Sequence, residues 1–202
     1  LSVALFGLIA YPITQWRPLE AGIKYLILSG TASALLLFGM ALIYAELGTV
    51  QFEPIAAAAN RLSSPDAIVI AGAALILGGI AFKLSLVPFH MWVGDVYDGA
   101  PAPVGAYLAT VSKGAMVALL LRFLPATGLH DQRALLWILT AMALASMLIG
   151  NLLALLQTEL KRLLAYSSVS HLGYLLVIVV AGGPLAVEAA GYYLAAYFVT
   201  LL

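Results

Sequence analysis

The residues in this sequence most able to do chemistry are ionisable side chains inside long apolar runs. Lys83 stands in the string GGIAFKLSLVPFH, Lys113 in the apolar run 104 to 124, and His171 in the run 163 to 181. A lysine at the centre of an apolar helix costs about 2.5 to 3.5 kcal/mol on insertion scales, so such residues are functional candidates by default. Burial and neighbouring charges govern proton affinity, and these positions therefore indicate proton uptake and release.

Lys113 lies near the centre of its apolar run. Nine residues of its run precede it and eleven follow it, which places it about 14 Å from the nearer helix end at about 1.5 Å per residue. From that depth its ammonium does not easily reach water. The alternative is a structural lysine that pairs with a backbone carbonyl or a neighbouring helix.

Lys83 lies where the sequence predicts a break in a helix. Pro88 removes a backbone donor and clashes with the preceding turn, so the helix should end just after Lys83. A continuous rod from Asp66 to Tyr97 would also be about 48 Å long, beyond the roughly 30 Å of a hydrocarbon core. Broken helices with a central ionisable group are a recurring feature of transporters. A kinked helix with a packed lysine is the alternative, and His90 after the break suits either a proton relay or a structural role.

His171 lies at the middle of its run, on a helix face that also carries hydroxyl groups. Ser167 and Ser168 precede it by one turn and Tyr174 follows it by one turn. A titratable imidazole among hydroxyls suits a proton wire, because histidine titrates near neutral pH. The alternative is a histidine satisfied by hydrogen bonds between helices.

Glu20 and Lys24 form a charged pair near the start of a helix. Their i, i+4 spacing is in the favourable order. Taken alone, the pair indicates an interfacial ion pair in which the Lys24 side chain extends towards water. Four further basic residues stand at helix ends and are interpreted as interfacial anchors: Arg122, Arg133, Lys161 and Arg162.

The elements that must position these residues are membrane helices. Hydrophobic residues make up 64% of the chain and charged residues 9%, against roughly 25% charged in a soluble domain. Runs of about 20 apolar residues are long enough to span a bilayer as helices, and they do not alternate as barrel strands do. The prediction is an all-α, polytopic transmembrane bundle with one broken helix, in seven segments: 1 to 14, 22 to 45, 67 to 93, 104 to 124, 134 to 156, 163 to 181 and 186 to 202.

The remaining features of the sequence limit the partners and the cofactors. Lys plus Arg equals Asp plus Glu at 9 each, without a charge run that indicates a nucleic-acid partner. With no cysteine, the chain cannot ligate an iron–sulfur cluster through thiolates or form a disulfide. We expect no cofactor-binding and no metal site in this chain. Basic loop residues give no preferred orientation, with Arg17, Lys161 and Arg162 on one face and Arg61, Arg122 and Arg133 on the other.

Two further features of the sequence bear on its domain organisation: one sizeable loop and the ends of the chain. The loop runs from Glu46 to Asp66 and ends in the helix-start signal Ser63-Ser64-Pro65-Asp66. The first residues are already apolar, without an initiator Met or a basic region before them. We therefore expect residues 1–202 to form a single transmembrane domain that is an internal fragment of a longer protein.

Three strings resemble a known family of membrane subunits: LEAGIKYLILSGTASALLLFG, FKLSLVPFHMWVGDVYDGAPAPVGAYLATVSKGA and LKRLLAYSSVSHLGYLLV. They are similar to the antiporter-like N-type subunits of bacterial NADH:quinone oxidoreductase, or respiratory complex I. The mitochondrial counterpart is NADH dehydrogenase subunit 2, and the wider family includes subunits L and M and the Mrp-type sodium/proton antiporters. The resemblance implies two inverted five-helix repeats, each with a broken helix, and a chain of protonatable residues along the membrane midplane. It also implies a second broken helix beyond Leu202 and a pairing glutamate upstream of Leu1.

The resemblance assigns roles to four residues. It matches Lys83 to the lysine of the first broken helix, Lys113 to the connecting lysine of the next helix, and Lys24 to a further lysine of this subunit type. His171 falls in the helix that leads towards the second half-channel. The implied location is the bacterial inner membrane, multi-pass, beside other membrane-arm subunits; NADH, FMN, iron–sulfur clusters and quinone are expected in the partner subunits.

The function that the residues and the resemblance together favour is proton translocation driven by electron transfer in partner subunits. A Mrp-type antiporter subunit would use the same lysines for sodium/proton exchange. A non-pumping spacer that holds a membrane arm together is a further alternative, although it would have no need of central lysines. A retinal-binding lysine would need a buried carboxylate counter-ion, which the sequence does not obviously supply.

Overall fold

The computed structural model describes residues 2–12, 14–59, 67–131 and 133–201, and those residues form helices without a strand. A π-helical turn at Leu108–Ser112 joins α6 to α7, so that Ala102–Ala126 is one helical rod, and a 3₁₀ turn follows at Leu129–Asp131. The ten α-helices are α1 Ser2–Ile9, α2 Trp16–Leu47, α3 Phe52–Ala59, α4 Ala67–Lys83, α5 Trp92–Gly99, α6 Ala102–Tyr107, α7 Lys113–Ala126, α8 Arg133–Leu155, α9 Leu160–Ala181 and α10 Ala186–Leu201.

The helices confirm the predicted all-α membrane bundle. Four of the described helical spans are long and apolar enough to cross a membrane: Trp16–Leu47, Ala102–Ala126, Arg133–Leu155 and Leu160–Ala181. Two shorter apolar helices, Ala67–Lys83 and Ala186–Leu201, accompany them. Each of the seven predicted segments therefore contains at least one helix.

Two boundaries differ from the prediction. Helix α2 begins at Trp16, six residues before the predicted start, and its 32 residues extend about 48 Å. The first turn carries Pro18, which favours a helix start because the amide hydrogen it lacks is not needed there. The predicted loop from Glu46 also contains helix α3, Phe52–Ala59. Its helix-start signal at positions 63 to 66, together with Arg61, lies outside the described residues.

Small residues let two pairs of helices approach closely. A side-chain carbon added to Gly39 of α2 would lie 2.6 Å from the carbonyl oxygen of Gly72 in α4. One added to Gly173 of α9 would lie 2.9 Å from the carbonyl oxygen of Ala143 in α8. Membrane helices associate through such close packing because lipid provides no hydrophobic force between them. Helix α5 packs against one helix of each pair, α2 and α9.

Helix α5 lies in the interior although it is only 8 residues long. Trp92, Val93, Val96 and Tyr97 are all buried. The indole of Trp92 stacks on the Phe82 ring, with 5.5 Å between the ring centroids. This packing carries the chain from the end of α4 back into the protein and brings Tyr97 towards the centre of the bundle.

Candidate functional site

The break in the interrupted segment occurs where the sequence predicts it. Helix α4 ends at Lys83, and Ser85 adopts a left-handed conformation with φ of 60°. The Leu86 amide donates to the Ala81 carbonyl and the Ser85 amide donates to the Phe82 carbonyl, both at 2.9 Å. These two bonds are the Schellman pattern that ends a helix and satisfies its last carbonyls.

The cause of the break differs from the predicted one. Pro88 lies in the turn after the break, so its ring does not terminate α4 directly; the left-handed Ser85 does. A neighbouring helix holds the turn, because the Val87 amide donates to Ser146 Oγ of α8 at 2.9 Å. The Trp92 indole also donates to the Phe82 carbonyl at 3.2 Å. The broken segment is therefore held by neighbouring side chains.

Lys83 is the last residue of α4, and its side chain is half-buried. A cation is favourable at this end of a helix, because the unsatisfied carbonyls carry partial negative charge. His90 follows in the turn before α5, and its Nδ1 atom is buried without a hydrogen-bond partner among the described residues. The break thus places two ionisable side chains on non-helical or helix-terminal backbone.

Lys113 is fully buried, with 0% of its surface exposed. Its ammonium donates a 2.8 Å hydrogen bond to Ser168 Oγ, which links α7 to α9. The Ser168 hydroxyl in turn donates to the Ala165 carbonyl at 2.7 Å. The Lys113 Nζ atom also lies 5.4 Å from the centroid of the Tyr97 ring. The Lys113 side chain therefore faces the protein interior.

Two tyrosines complete the surroundings of Ser168. The Tyr97 hydroxyl lies near Ser168 but is buried without a hydrogen bond of good geometry to a described residue. The Tyr197 hydroxyl also lies near Ser168 and donates to the Ala109 carbonyl at 3.1 Å. One ammonium and three hydroxyl groups therefore meet in one buried cluster, the lysine cluster: Lys113, Ser168, Tyr97 and Tyr197.

His171 lies one helical turn after Ser168 and is half-buried. Its Nδ1 atom is 2.8 Å from the Tyr193 hydroxyl of α10. Its ring also lies 5.4 Å from that of Tyr197 and 6.4 Å from that of Tyr174, centroid to centroid. The predicted hydroxyl-bearing face is present, with Tyr193 and Tyr197 added by a second helix. The hydrogen bond to Tyr193 is equally consistent with the alternative, a histidine satisfied by hydrogen bonds between helices.

Lys24 belongs to a different place, a network of ion pairs that joins α2, α5 and α9. Its ammonium lies 2.7 Å from Glu20 Oε1 and 2.7 Å from Asp95 Oδ2. The guanidinium of Arg162 lies 2.7 Å from Asp95 Oδ1 and 3.6 Å from Asp98 Oδ2. These five side chains, the ion-pair network, are each between 21% and 43% exposed.

Two of the basic residues interpreted as interfacial anchors bind helix α5. Arg162 binds the carboxylates of α5, and Lys161 donates to the Ala100 carbonyl at 3.0 Å, at the end of α5. The sequence reading missed Asp95 and Asp98 as site residues. Their signal was a pair of carboxylates at i, i+3 in the mostly apolar stretch after the break. The favourable pairing of Glu20 with Lys24 is confirmed.

A polar cavity of about 330 Å³ lies against the ion-pair network. Glu20, Lys24, Asp95 and Arg162 line it, together with residues of the turn that leads into α9. A cavity of this size with several polar partners can hold ordered water. Among the residues that the structure describes, no group of three His, Cys, Asp or Glu side chains could hold a metal ion.

An all-helical bundle with membrane-length helices, a broken helix and a buried lysine hydrogen-bonded between helices defines the class of antiporter-like membrane subunits. The chain belongs to the NADH:quinone oxidoreductase/Mrp antiporter transmembrane family, whose model matches residues 1–202. NADH-quinone oxidoreductase subunit N of Methylococcus capsulatus is 54% identical, over 100% of this chain and 42% of the relative.

Two solved structures share the fold. The respiratory complex I of Thermus thermophilus with bound aureothin contains a chain with a TM-score of 0.81 and 34% identity, covering 100% of this chain and 42% of that one. The Mrp complex of Dietzia sp. DQ12-45-1b contains one with a TM-score of 0.83 and 30% identity, covering 92% and 34%. The chain thus spans about two fifths of the length of the curated relative.

Proposed function

We propose that this chain is part of a proton-translocating membrane subunit of NADH:quinone oxidoreductase, and that Lys113 and Ser168 of the lysine cluster carry part of its proton path. The observation that carries the proposal is the complete burial of Lys113 with only neutral groups in the described contacts of its ammonium. A buried ammonium without a carboxylate partner is costly, and the cost falls when the proton leaves. Such a group is suited to releasing and regaining a proton.

The neighbours of Lys113 can continue the path. A serine hydroxyl can accept one hydrogen bond and donate another, as Ser168 does between Lys113 and the Ala165 carbonyl. His171 lies one turn further along α9, and its bond to Tyr193 extends the polar row onto α10. Water between these groups would complete the connections. In this proposal Lys113, Ser168 and His171 transfer protons laterally through the bundle.

We place Lys83 at the entrance of the proposed proton path. It stands at the end of α4, where the broken backbone departs from helical hydrogen bonding. Non-helical backbone at membrane depth is tolerated where it is buried in protein or lines a water-filled cavity. We assign to Lys83 the loading and unloading of protons, and to Lys24 a charge in the ion-pair network that a change elsewhere in the complex could rearrange.

The oxidation of NADH and the reduction of quinone belong to partner subunits in this proposal, together with FMN and the iron–sulfur clusters. This chain holds no cysteine with which to ligate such a cluster. The subunit is multi-pass in the bacterial inner membrane and packs beside other membrane-arm subunits. Residues 1–202 form one transmembrane domain within a longer subunit.

Sodium/proton exchange is the second candidate function. The similarity to a chain of the Mrp complex, with a TM-score of 0.83, favours it. The sequences favour complex I, because the relative from Nitrosospira multiformis, also named subunit N, is 57% identical over 88% of this chain, against 30% for the Mrp chain. Transport assays with and without sodium distinguish the two: a strict sodium requirement would support exchange.

The experiment places Lys113→Met in the full-length subunit within its complex. Methionine keeps most of the side-chain length and removes the titratable ammonium, so the complex should assemble while protons translocated per NADH fall at least tenfold. The control is Ala115→Met, which adds the same side chain at an exposed position of the same helix. Normal translocation by assembled Lys113→Met complex would refute the role.

A further inference from the structure

The helical rod that carries Lys113 contains a wide turn immediately before it. Residues Leu108–Ser112 are π-helical, and Lys113 is the first residue of α7. Wide turns of this type are rare and occur frequently at functional sites. Each inserted residue rotates everything that follows by about 100° relative to an unbroken α-helix. The wide turn therefore sets the direction in which Lys113 points.

The burial pattern shows which register the wide turn produces. After the turn, Lys113, Val117, Leu120 and Leu124 are buried, at the 4, 3 and 4 residue spacing of one helix face. Lys113 thus lies on the interior stripe of α7 and reaches Ser168. In an unbroken helix with the same upstream residues, this stripe would be turned away by more than a quarter of a circle.

Two hydroxyl groups bind carbonyls in this turn or just before it. Thr110 Oγ1 donates to the Ala106 carbonyl at 2.7 Å, within the rod itself. Tyr197 donates to the Ala109 carbonyl at 3.1 Å, from 88 residues away on α10. A change from one helical bonding pattern to another leaves a carbonyl without its usual amide donor, and such a group must be satisfied inside the membrane. Tyr197 supplies a donor to a carbonyl within the wide turn.

The residue after Tyr197 in α10, Phe198, packs closely against α7. A side-chain carbon added to Gly114 would lie 2.8 Å from the Phe198 ring. Glycine therefore leaves room for the ring directly after Lys113. Tyr197 is itself buried, with 2% of its surface exposed. Two adjacent residues of α10 thus contact the rod on either side of Lys113, one by a hydrogen bond and one by packing.

We propose that Tyr197 is a positioning residue for Lys113, which it keeps against Ser168 by binding the Ala109 carbonyl in the wide turn. This inference rests on the proposed function. The Tyr197 hydroxyl acts on the backbone of another helix and does not itself carry the proton. Its loss lets the turn relax towards a regular helix and rotates Lys113 away from Ser168.

The test compares four variants of the full-length subunit in the assembled complex. Tyr197→Phe removes only the hydroxyl, and Tyr192→Phe is the matched control, because Tyr192 is on the same helix and 81% exposed. Gly114→Val displaces α10 from the α7 side without touching Tyr197. Lys113→Met reports on the proposed function independently. The readouts are protons translocated per NADH oxidised, and the Lys113–Ser168 distance from electron cryo-microscopy.

We expect Tyr197→Phe and Gly114→Val to translocate at most half as many protons per NADH as the parent, and Tyr192→Phe to match it. The Lys113–Ser168 separation should exceed 3.5 Å in the first two. If Tyr197 is purely structural, Tyr197→Phe will lower the amount of complex but leave the protons translocated per NADH and the Lys113–Ser168 separation unchanged. That result would overturn the inference. Normal translocation by Lys113→Met instead overturns the proposed function, while the separation still decides whether Tyr197 positions Lys113.

Discussion

The lysine cluster and the ion-pair network show two ways to place a lysine in a membrane protein. Lys24 is 42% exposed and lies 2.7 Å from each of two carboxylates. Lys113 is fully buried, and its described contacts are a hydroxyl and an aromatic ring. Carboxylates favour the charged form of a lysine, whereas burial beside neutral groups disfavours it.

The difference underlies our proposal that Lys113, and not Lys24, changes its protonation state. Removing the proton of Lys24 would leave the carboxylates of Glu20 and Asp95 without its positive charge, so these carboxylates favour the charged form of Lys24. Removing the proton of Lys113 relieves a desolvation cost and leaves a neutral amine among neutral groups. We therefore assign proton movement to Lys113 and a structural or switching role to Lys24. The predictions below aim to break this contrast or to sharpen it.

The largest effect should come from giving Lys113 a carboxylate partner. In Ser168→Asp the carboxylate would stand within reach of the ammonium and hold its charge, as Asp95 does for Lys24. Proton translocation should fall at least tenfold in assembled complex, measured as protons per NADH. Ser168→Asn, of similar size but neutral, is the control and should retain more activity. Equal activity of the two variants would contradict the contrast.

A similar loss is expected at the helix break. Lys83→Met removes a titratable group, and Lys83→Arg keeps a charge that is effectively never released. Both should assemble and both should lower translocation several-fold. A structural lysine predicts another order, with Lys83→Arg tolerated and the loss in Lys83→Met following the amount of complex. Quantifying the complex in membranes beside proton pumping separates the two.

Packing between α8 and α9 should have an intermediate effect. Gly173→Ala places a methyl group 2.9 Å from the Ala143 carbonyl, and overpacking of this kind costs about 1 to 3 kcal/mol. Because α9 carries Ser168 and His171, its displacement should lower both thermal stability and translocation. Gly191→Ala, which meets nothing within 4 Å, is the control. An equal melting temperature for the two variants would disprove the close approach.

The smallest effect should come from the ion-pair network. Asp95→Asn removes the charge that binds Lys24 and Arg162, but the side chains are 38% to 42% exposed. Exposed pairs contribute about 0.2 to 1 kcal/mol each and are screened by salt. Thermal unfolding of the purified complex should show a shift of a few degrees that shrinks at high salt. Glu188→Gln, an exposed carboxylate on α10, serves as the control.

The sequence predicted those features that depend on local pattern. The central position of Lys113 and the hydroxyl-bearing face around His171 follow from length and helical spacing, and the structure has them. The end of α4 at Lys83 was predicted from Pro88 and from segment length, and its position is correct although its cause is different. The start of α2 was placed too late, because the apolar run was weighed above Pro18, a helix-start signal. The break itself depends on a left-handed Ser85, and serine gives no local signal for that conformation.

The remaining features depend on contacts between distant parts of the chain. Lys113 and Ser168 are 55 residues apart, and Lys24 and Asp95 are 71 apart. The wide turn at Leu108–Ser112 contains no proline or glycine, and its bond to Tyr197 spans 88 residues. Local propensity does not encode such a turn, because tertiary contacts stabilise it. The family resemblance identified the lysines, but it did not identify the groups that surround them.

The most direct test of the central claim is proton translocation by Lys113→Arg. Arginine keeps a positive charge near Ser168 and Tyr97 but does not release its proton. If Lys113 must cycle between its charged and neutral forms, the assembled Lys113→Arg complex should translocate at least tenfold fewer protons per NADH than the parent. Translocation at the parental ratio, with the arginine seated against Ser168, would show that charge alone is sufficient and would contradict the account.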